Sequence, residues 1–346
     1  MKRIAPLLAM LLAALSLVAC GGSNDGGGSS TDATDASAPP ASKSDASVAY
    51  VSPVASQPDQ QGIMTGIEAA AGELGWSSSL LDAALSAEKQ VSLVETAINR
   101  GDSAIASWTL DPNVVGGAYE KALKAGIPLI GVNSAGQDVT TSVWYEFQRC
   151  DPGGPQAITA ERISEIHPGA KVIIIGYFEA ESTKELSDCF AKEAKSAGLD
   201  VINSTQNEAD NAAGSQKVFE PLLTKYPEVE AVWCYNDESA LGVSAALQAA
   251  GHEIAAEPGD EGVVVTGLDG DPSGVEAVEE GRISWTWDAN SVAVGIASAN
   301  AMSEAMKTGK AKEVVVESAL LDAETIGEYR SPEDRGYSLS NLPIKK

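Results

Sequence analysis

Hydrogen-bonding side chains stand just past the ends of several short apolar runs in this sequence. Ser52 and the stretch from Gln57 to Gln60, which includes Asp59, follow the first run. Trp108 ends the third and Asn133-Ser134 the fourth, and Asn236-Asp237, Asp269 and Asp288 occupy the same kind of position further on. Nearly all are amides, hydroxyls or carboxylates. Such groups bind neighbouring hydroxyls in pairs, so a protein can strip water from a sugar without leaving polar atoms unpaired. A phosphate ligand would call instead for Arg, Lys or a glycine nest. Taken alone, Asn236 and Asp237 serve equally well as helix caps. The same chemistry at several strand ends favours a binding rim.

No catalytic apparatus accompanies this rim. The two His residues, His167 and His252, fall at helix C-termini, where positive charge is favoured. There is no Gly-x-Ser-x-Gly elbow, and no Gly-x-Gly-x-x-Gly follows a strand. Asp269-Gly270-Asp271 is too short for a calcium loop, and the cysteines lack the spacing of a metal site. The expectation is therefore a protein without catalytic residues, metal or cofactor.

The elements that position the rim must come from a chain of 346 residues, beyond the length at which one core usually divides. A formal charge of −26 argues against a nucleic-acid partner. Aromatic residues are scarce, yet six are Trp, whose flat face can stack on sugar C–H surfaces. At the N-terminus, Lys2-Arg3 precede an apolar run, Ile4 to Ala19, too short to span a membrane comfortably. It stops at Leu17-Val18-Ala19-Cys20 before Gly21-Gly22, which resembles a bacterial lipoprotein signal. That resemblance implies that residues 1–19 are removed and Cys20 is lipidated. Residues 20–47, rich in Gly, Ser, Asp and Ala, cannot bury a core and read as a flexible tether. Of the remaining cysteines, two can pair in an oxidising compartment. Cys150 with Cys189 is the preferred pair, because Cys234 reads as interior strand.

From Val48 onward, short apolar runs alternate with helical patterns. Strands are expected at 48–51, 79–83, 104–108 and 127–132, with helices beginning near 63, 88 and 113 and a polar loop over 54–61. The rhythm repeats with strands at 171–176, 200–204, 230–235, 262–268 and 283–288, and a last strand over 313–321. This is an α/β chain of two Rossmann-like, doubly wound lobes. Crossings between lobes are expected at 146–155, around 288–290 and around 320–322. The N-terminal lobe is then 48–147 plus 290–319, and the C-terminal lobe 148–289 plus 320–346.

Two stretches carry a more specific resemblance. Asn236-Asp237-Glu238-Ser239-Ala240-Leu241-Gly242, and Val265-Thr266-Gly267-Leu268-Asp269-Gly270 leading to Gly274, closely resemble the ribose-type periplasmic sugar-binding proteins. The lactose-repressor-type regulators share these motifs, but their DNA-binding headpiece is absent here. The resemblance implies a type I periplasmic binding protein, with three hinge crossovers, that closes on one sugar and delivers it to an ABC permease. By position it implies ligand contacts at Asn236 and Asp269, and at Asn133 where the family has aspartate. The family's arginines correspond to Ser134 and Lys184, its paired phenylalanines to Asp59 and Gln60, and a further aromatic to Asp210. Trp108 replaces an asparagine, and Trp287-Asp288 resembles the rhamnose and autoinducer branch. These departures point away from D-ribose toward another pentose, a deoxysugar or a polyol, with Trp108 or Trp287 as the stacking surface. The expected molecule is a monomer, lipid-anchored outside the cytoplasm. A receptor subunit for a sensor kinase or chemoreceptor is the alternative, and a secreted carbohydrate enzyme the remote one.

Overall fold

A computed structural model describes residues 46–345. The signal, Cys20 and nearly all of the tether lie outside the described residues.

The first half alternates strand and helix: β1 (Ser47–Ser52), α1 (Pro58–Leu74), β2 (Ser77–Asp82), α2 (Ala87–Arg100), β3 (Ala104–Ser107), α3 (Pro112–Lys124) and β4 (Leu129–Val132). The local signals explain the boundaries. Ser86 caps α2 by accepting from the Lys89 N–H, and Asp111 caps α3 by accepting from that of Asn113. Gly75 and Gly101 end α1 and α2 in the left-handed conformation. One strand, β5 (Thr141–Tyr145), has no counterpart in the sequence reading. It follows β4 with no helix between them, so the strand–helix rhythm reserved no place for it.

The second half contains α4 (Pro155–Ile166), β6 (Lys171–Gly176), α5 (Glu181–Ser196), β7 (Asp200–Gln206), α6 (Ala212–Lys225), β8 (Ala231–Cys234) and α7 (Asp237–Ala249). It continues through β9 (Val264–Thr266), α8 (Pro272–Glu279), β10 (Thr286–Asp288) and α9 (Ser291–Thr308). The strand expected over 313–321 is two strands, β11 (Val314–Val316) and β12 (Ala319–Leu321). They belong to different sheets, so the chain crosses at Glu317-Ser318 and not at 320–322. Two hydrogen-bonding geometries cannot be told apart in one apolar run.

The larger sheet runs β2-β1-β3-β4-β5-β11, parallel throughout, and the second runs β7-β6-β8-β9. β10 lies beside β9 through bridges at Thr266–Trp285 and Asp269–Asp288 and pairs antiparallel with β12. This is the type I periplasmic binding protein fold. Each sheet has its own apolar layers. Trp233 and Trp285 are wholly buried in the second lobe, where Trp233 stacks on Phe190 at 4.9 Å. In the first lobe α1 and α9 touch backbone to backbone. A Cβ on Gly66 would fall 2.0 Å from the Val292 carbonyl oxygen, and one on Gly295 2.0 Å from that of Ile63. A disulfide joins Cys150 to Cys189 (Cα–Cα 5.7 Å), while Cys234 is a buried free thiol.

The C-terminal tail, assigned above to the C-terminal lobe, docks elsewhere. Tyr337, Leu339 and Leu342 pack on Ala70, Val292, Ile296 and Ala299 of α1 and α9. Ile344 bridges to Val316, so the tail extends the edge of the first-lobe sheet. A short segment broken by Pro332 and Pro343 has no periodicity from which its partner could be read. The tail also reaches all three crossings. Arg335 pairs with Asp288 and donates to Asn290, Glu317 N–H donates to the Pro343 carbonyl at 2.8 Å, and Lys345 meets Glu146 at 2.9 Å.

The Arg335 side chain is 13% exposed and that of Asp288 2%. Truncating a buried pair leaves the other charge without compensation. Arg335→Ala should therefore cost about 3–5 kcal/mol of stability in urea titration, with Asp288→Asn in the same chain restoring part of the loss. Gly66→Val should be destabilising by at least about 1–3 kcal/mol, because the α1–α9 contact has no room for a side chain.

Candidate functional site

The carboxyl ends of the two parallel sheets face a shared cleft, as the polar strand ends require. The first lobe contributes the start of α1 and the residues after β3 and β5. The second contributes those after β6, β7, β8 and β9. Together they line one cleft whose empty space, counting the part open to solvent, is about 570 Å³.

Seven of the expected site residues line this space: Gln57, Asp59, Gln60, Trp108, Asp210, Asn236 and Asp269. Asp59 and Gln60 are not in a loop, as expected, but in the first turn of α1, because Pro58 occupies the first helical position. Gln60 is held in place by donation from Tyr50 Oη (2.5 Å) and Ser52 Oγ (3.1 Å), and its own amide donates to Asp59 at 2.8 Å. Tyr145 Oη donates to the same carboxylate at 3.3 Å. Asp210 is surrounded by donors: Gln57 Nε2 at 2.9 Å, Asn236 Nδ2 at 2.9 Å, and the Tyr235 hydroxyl. Asn236 Oδ1 caps α7 by accepting from the Ser239 N–H, while its Nδ2 donates to Asp210 at the cleft wall.

Four expected residues lie elsewhere. Asn133 is fully buried, with Oδ1 accepting from the Tyr145 N–H at 2.7 Å. Ser134 accepts from the Thr109 N–H and donates to the Val132 carbonyl. Both border a separate depression with Trp144, Glu181 and Glu185. Their polar groups bond to the neighbouring strand ends, Asn133 to Val143 and Tyr145 and Ser134 to Thr109 and Val132. Lys184 is on the exposed face of α5 and pairs with Asp188 at 2.6 Å. Asp288 is consumed by Arg335. Trp287 is core, donating to Thr159 Oγ1 at 2.9 Å, which leaves Trp108 as the Trp of the cleft.

Sequence reading passed over Phe147, Gln148, Tyr177 and Tyr235, which also line the cleft. Tyr177 and Tyr235 immediately follow β6 and β8, and the strand-end signal could have found them. Phe147 and Gln148 belong to the crossing after β5 and had no such signal. Contacts across the cleft hold the two lobes together: Gln57 reaches Asp210, Trp108 Nε1 donates to Ser182 Oγ at 2.9 Å, and the Glu181 N–H reaches the Leu110 carbonyl at 3.3 Å.

The cleft concentrates negative charge out of water. Burial raises the carboxyl of Asp59 to about 6, only partly offset by the bonds from Gln60 and Tyr145. Asp210 is raised by burial against the pull of its three donors. Asp269 is pushed well above the ordinary carboxylate range by burial, then by Asp59, Asp271, Asp237 and Asp210. Its side chain accepts no hydrogen bond from the described residues. Its backbone is clamped between the Trp287 carbonyl and the Ala289 N–H, in a left-handed conformation with φ 101°. Asp237 is a structural counterpart. Its carboxyl fills a cradle between Gly267 and Gly274, accepts from Thr286 Oγ1 and the Asp271 N–H, and is raised by burial to about 8. Among the described residues, no Lys or Arg lines the cleft.

Comparison with known proteins agrees with the fold. Residues 48–311 match the model of the periplasmic binding protein domain. The chain belongs to that family. The ribose import binding protein of Escherichia coli is 29% identical over 223 residues, which cover 64% of this chain and 71% of that protein. The D-apiose import binding protein of Paraburkholderia graminis is 31% identical over 204 residues, covering 57% of this chain and 61% of that protein. Among solved structures, the Caulobacter myo-inositol binding protein bound to myo-inositol superposes with TM-score 0.74. It is 21% identical and covers 86% of this chain and 99% of that one. A Burkholderia graminis solute binding protein in complex with D-arabinose gives TM-score 0.74 at 19% identity, covering 84% and 99%. The relatives are binding proteins of transport systems, and this periplasmic binding protein is not an enzyme.

Two outcomes follow from the buried carboxyls. Asp59 and Asp237 bind their protons more tightly in the folded chain than the ordinary value of 3.8, at about 6 and about 8. The folded state therefore holds more protons than the unfolded one in that window, so stability of the ligand-free protein falls as pH rises from about 4 to about 8. The carboxyls held low, Glu228, Asp260 and Asp322, are already ionised there and do not reverse the slope. Urea midpoints measured across the window should decline. Asp269→Gly removes both an unpaired carboxylate and a strained backbone, and should stabilise the empty protein by about 1–3 kcal/mol in the same titration.

Proposed function

We propose that this periplasmic binding protein captures a small polyhydroxylated solute, a pentose, deoxysugar or related polyol, and presents it to an ABC permease. The observation that carries this reading is the cleft itself: carboxylates and amides from both sheets converge on one space walled by Trp108. Carboxylates accept from adjacent ring hydroxyls, and the aromatic face covers the C–H surface. The ligands of the relatives, ribose, apiose, myo-inositol and arabinose, belong to the same chemical class. Residues from both lobes must meet the ligand together, so binding is coupled to closure about the three crossings.

The site of action is extracytoplasmic. The Cys150–Cys189 disulfide suits an oxidising compartment, and the Leu17-Val18-Ala19-Cys20 sequence supports a lipid anchor at Cys20 followed by a tether. No described helix is long and apolar enough to cross a membrane. The working form is taken as a monomer, since one chain supplies every wall of the cleft.

Calorimetry and thermal-shift screening across pentoses, deoxysugars, hexoses and inositols test the reading. Asp269→Ala should weaken the ligand so found by at least about 1–3 kcal/mol, the cost of an acceptor lost to buried hydroxyls, with the circular dichroism unchanged. Undiminished affinity would place the ligand elsewhere.

A further inference from the structure

The donors and acceptors of the cleft do not balance. Asp59, Asp210 and Asp269 come from α1, from the segment before α6 and from the segment after β9, so both lobes deliver anionic groups to one space. The neutral donors there are largely spent on the protein's own carboxylates. Gln57 Nε2 serves the Asp210 carbonyl and carboxylate, Gln60 Nε2 serves Asp59, and Asn236 Nδ2 and the Tyr235 hydroxyl serve Asp210. The Trp108 indole N–H is directed to Ser182. Among the described residues Asp269 is left with no donor, although the backbone is strained to hold it there. The positions at which the resembling family carries arginine are Ser134 and Lys184, and neither reaches the cleft.

A neutral polyol can donate its hydroxyls to these carboxylates but brings no charge to answer theirs. An ammonium group brings only donors, and it also suits the faces of Trp108, Tyr177 and Tyr235. Building on the solute-capture reading above, we infer that the cleft selects a hydroxylated amine, such as an aminosugar, amino-polyol or aminocyclitol, over the neutral sugar or polyol of the same size. The ammonium is paired with Asp269 and Asp59, and the hydroxyls are taken by the remaining acceptors. The tight hold of these carboxyls on their protons has the same origin. Burial raises both carboxyls, and an ammonium beside them would oppose that rise.

The test is calorimetry at neutral pH with matched pairs: a 2-amino-2-deoxyhexose against the parent hexose, a 1-amino-1-deoxypentitol against the pentitol, and an aminocyclitol against myo-inositol. The N-acetylated hexosamine keeps the nitrogen and removes the charge. The expected result is that at least one amine binds roughly tenfold or more tightly than its neutral partner, the size of one charge-assisted hydrogen bond. That advantage should disappear on N-acetylation and in Asp269→Asn. The ligand-side controls use the wild-type protein, so the result does not depend on the variant folding. Neutral members binding as well as or better than the amines would overturn the inference and leave solute capture intact. Failure of every compound, amine and neutral alike, would overturn both.

Discussion

Charge removed from water has to be answered by something, and most of this molecule's arrangement follows from where that answer is provided. Asp288 is answered within the chain by Arg335. Asp237 is answered by Thr286, by a backbone amide, and by glycines that leave space for its carboxyl. Asp210 is answered by amides and a phenol. Asp269 alone among the acids lining the cleft accepts no hydrogen bond, and it projects where the two sheets meet. In the proposed capture function, that strained position is held for a partner that arrives from outside.

Closure makes that arrangement work. Each parallel sheet presents its carboxyl ends, so the loops that carry polar groups from separate lobes become neighbours without strand pairing between the lobes. Direct bonds from Gln57 to Asp210 and from Trp108 to Ser182 show that the lobes meet closely. The crossings that permit this geometry are not left free. The C-terminal tail contacts each of them, through Arg335, Pro343 and Lys345, while packing its apolar residues on α1 and α9.

The strand–turn–helix unit of β8 and α7 was legible from Asn236-Asp237 because capping chemistry and an apolar run announce it locally. Asp269 was legible for the same reason. Asn133 and Ser134 also stand past a strand end, yet their polar groups bond to neighbouring strand ends, and β5 (Thr141–Tyr145) was missed because no helix separates it from β4. Lys184 carried an expected role by position, but its place on α5 turns it to solvent. Tyr145, Phe147 and Gln148 entered the site through β5 and the crossing after it, and so were hidden together with that strand.

Periodicity and turn chemistry act over a few residues. The sequence alone therefore determined the alternation of strands and helices, the doubly wound lobes and the polar character of the strand ends. Which strand ends converge depends on sheet order and on where the chain crosses, and these are set by contacts between residues far apart in sequence. Only the tertiary structure could decide that Asp288 belongs to the tail, that Trp287 belongs to the core, and that the cleft's carboxylates share one space into which no described Lys or Arg reaches. Whether a carboxylate is paired, capped or left for a ligand depends on which neighbours fill the few ångströms around it.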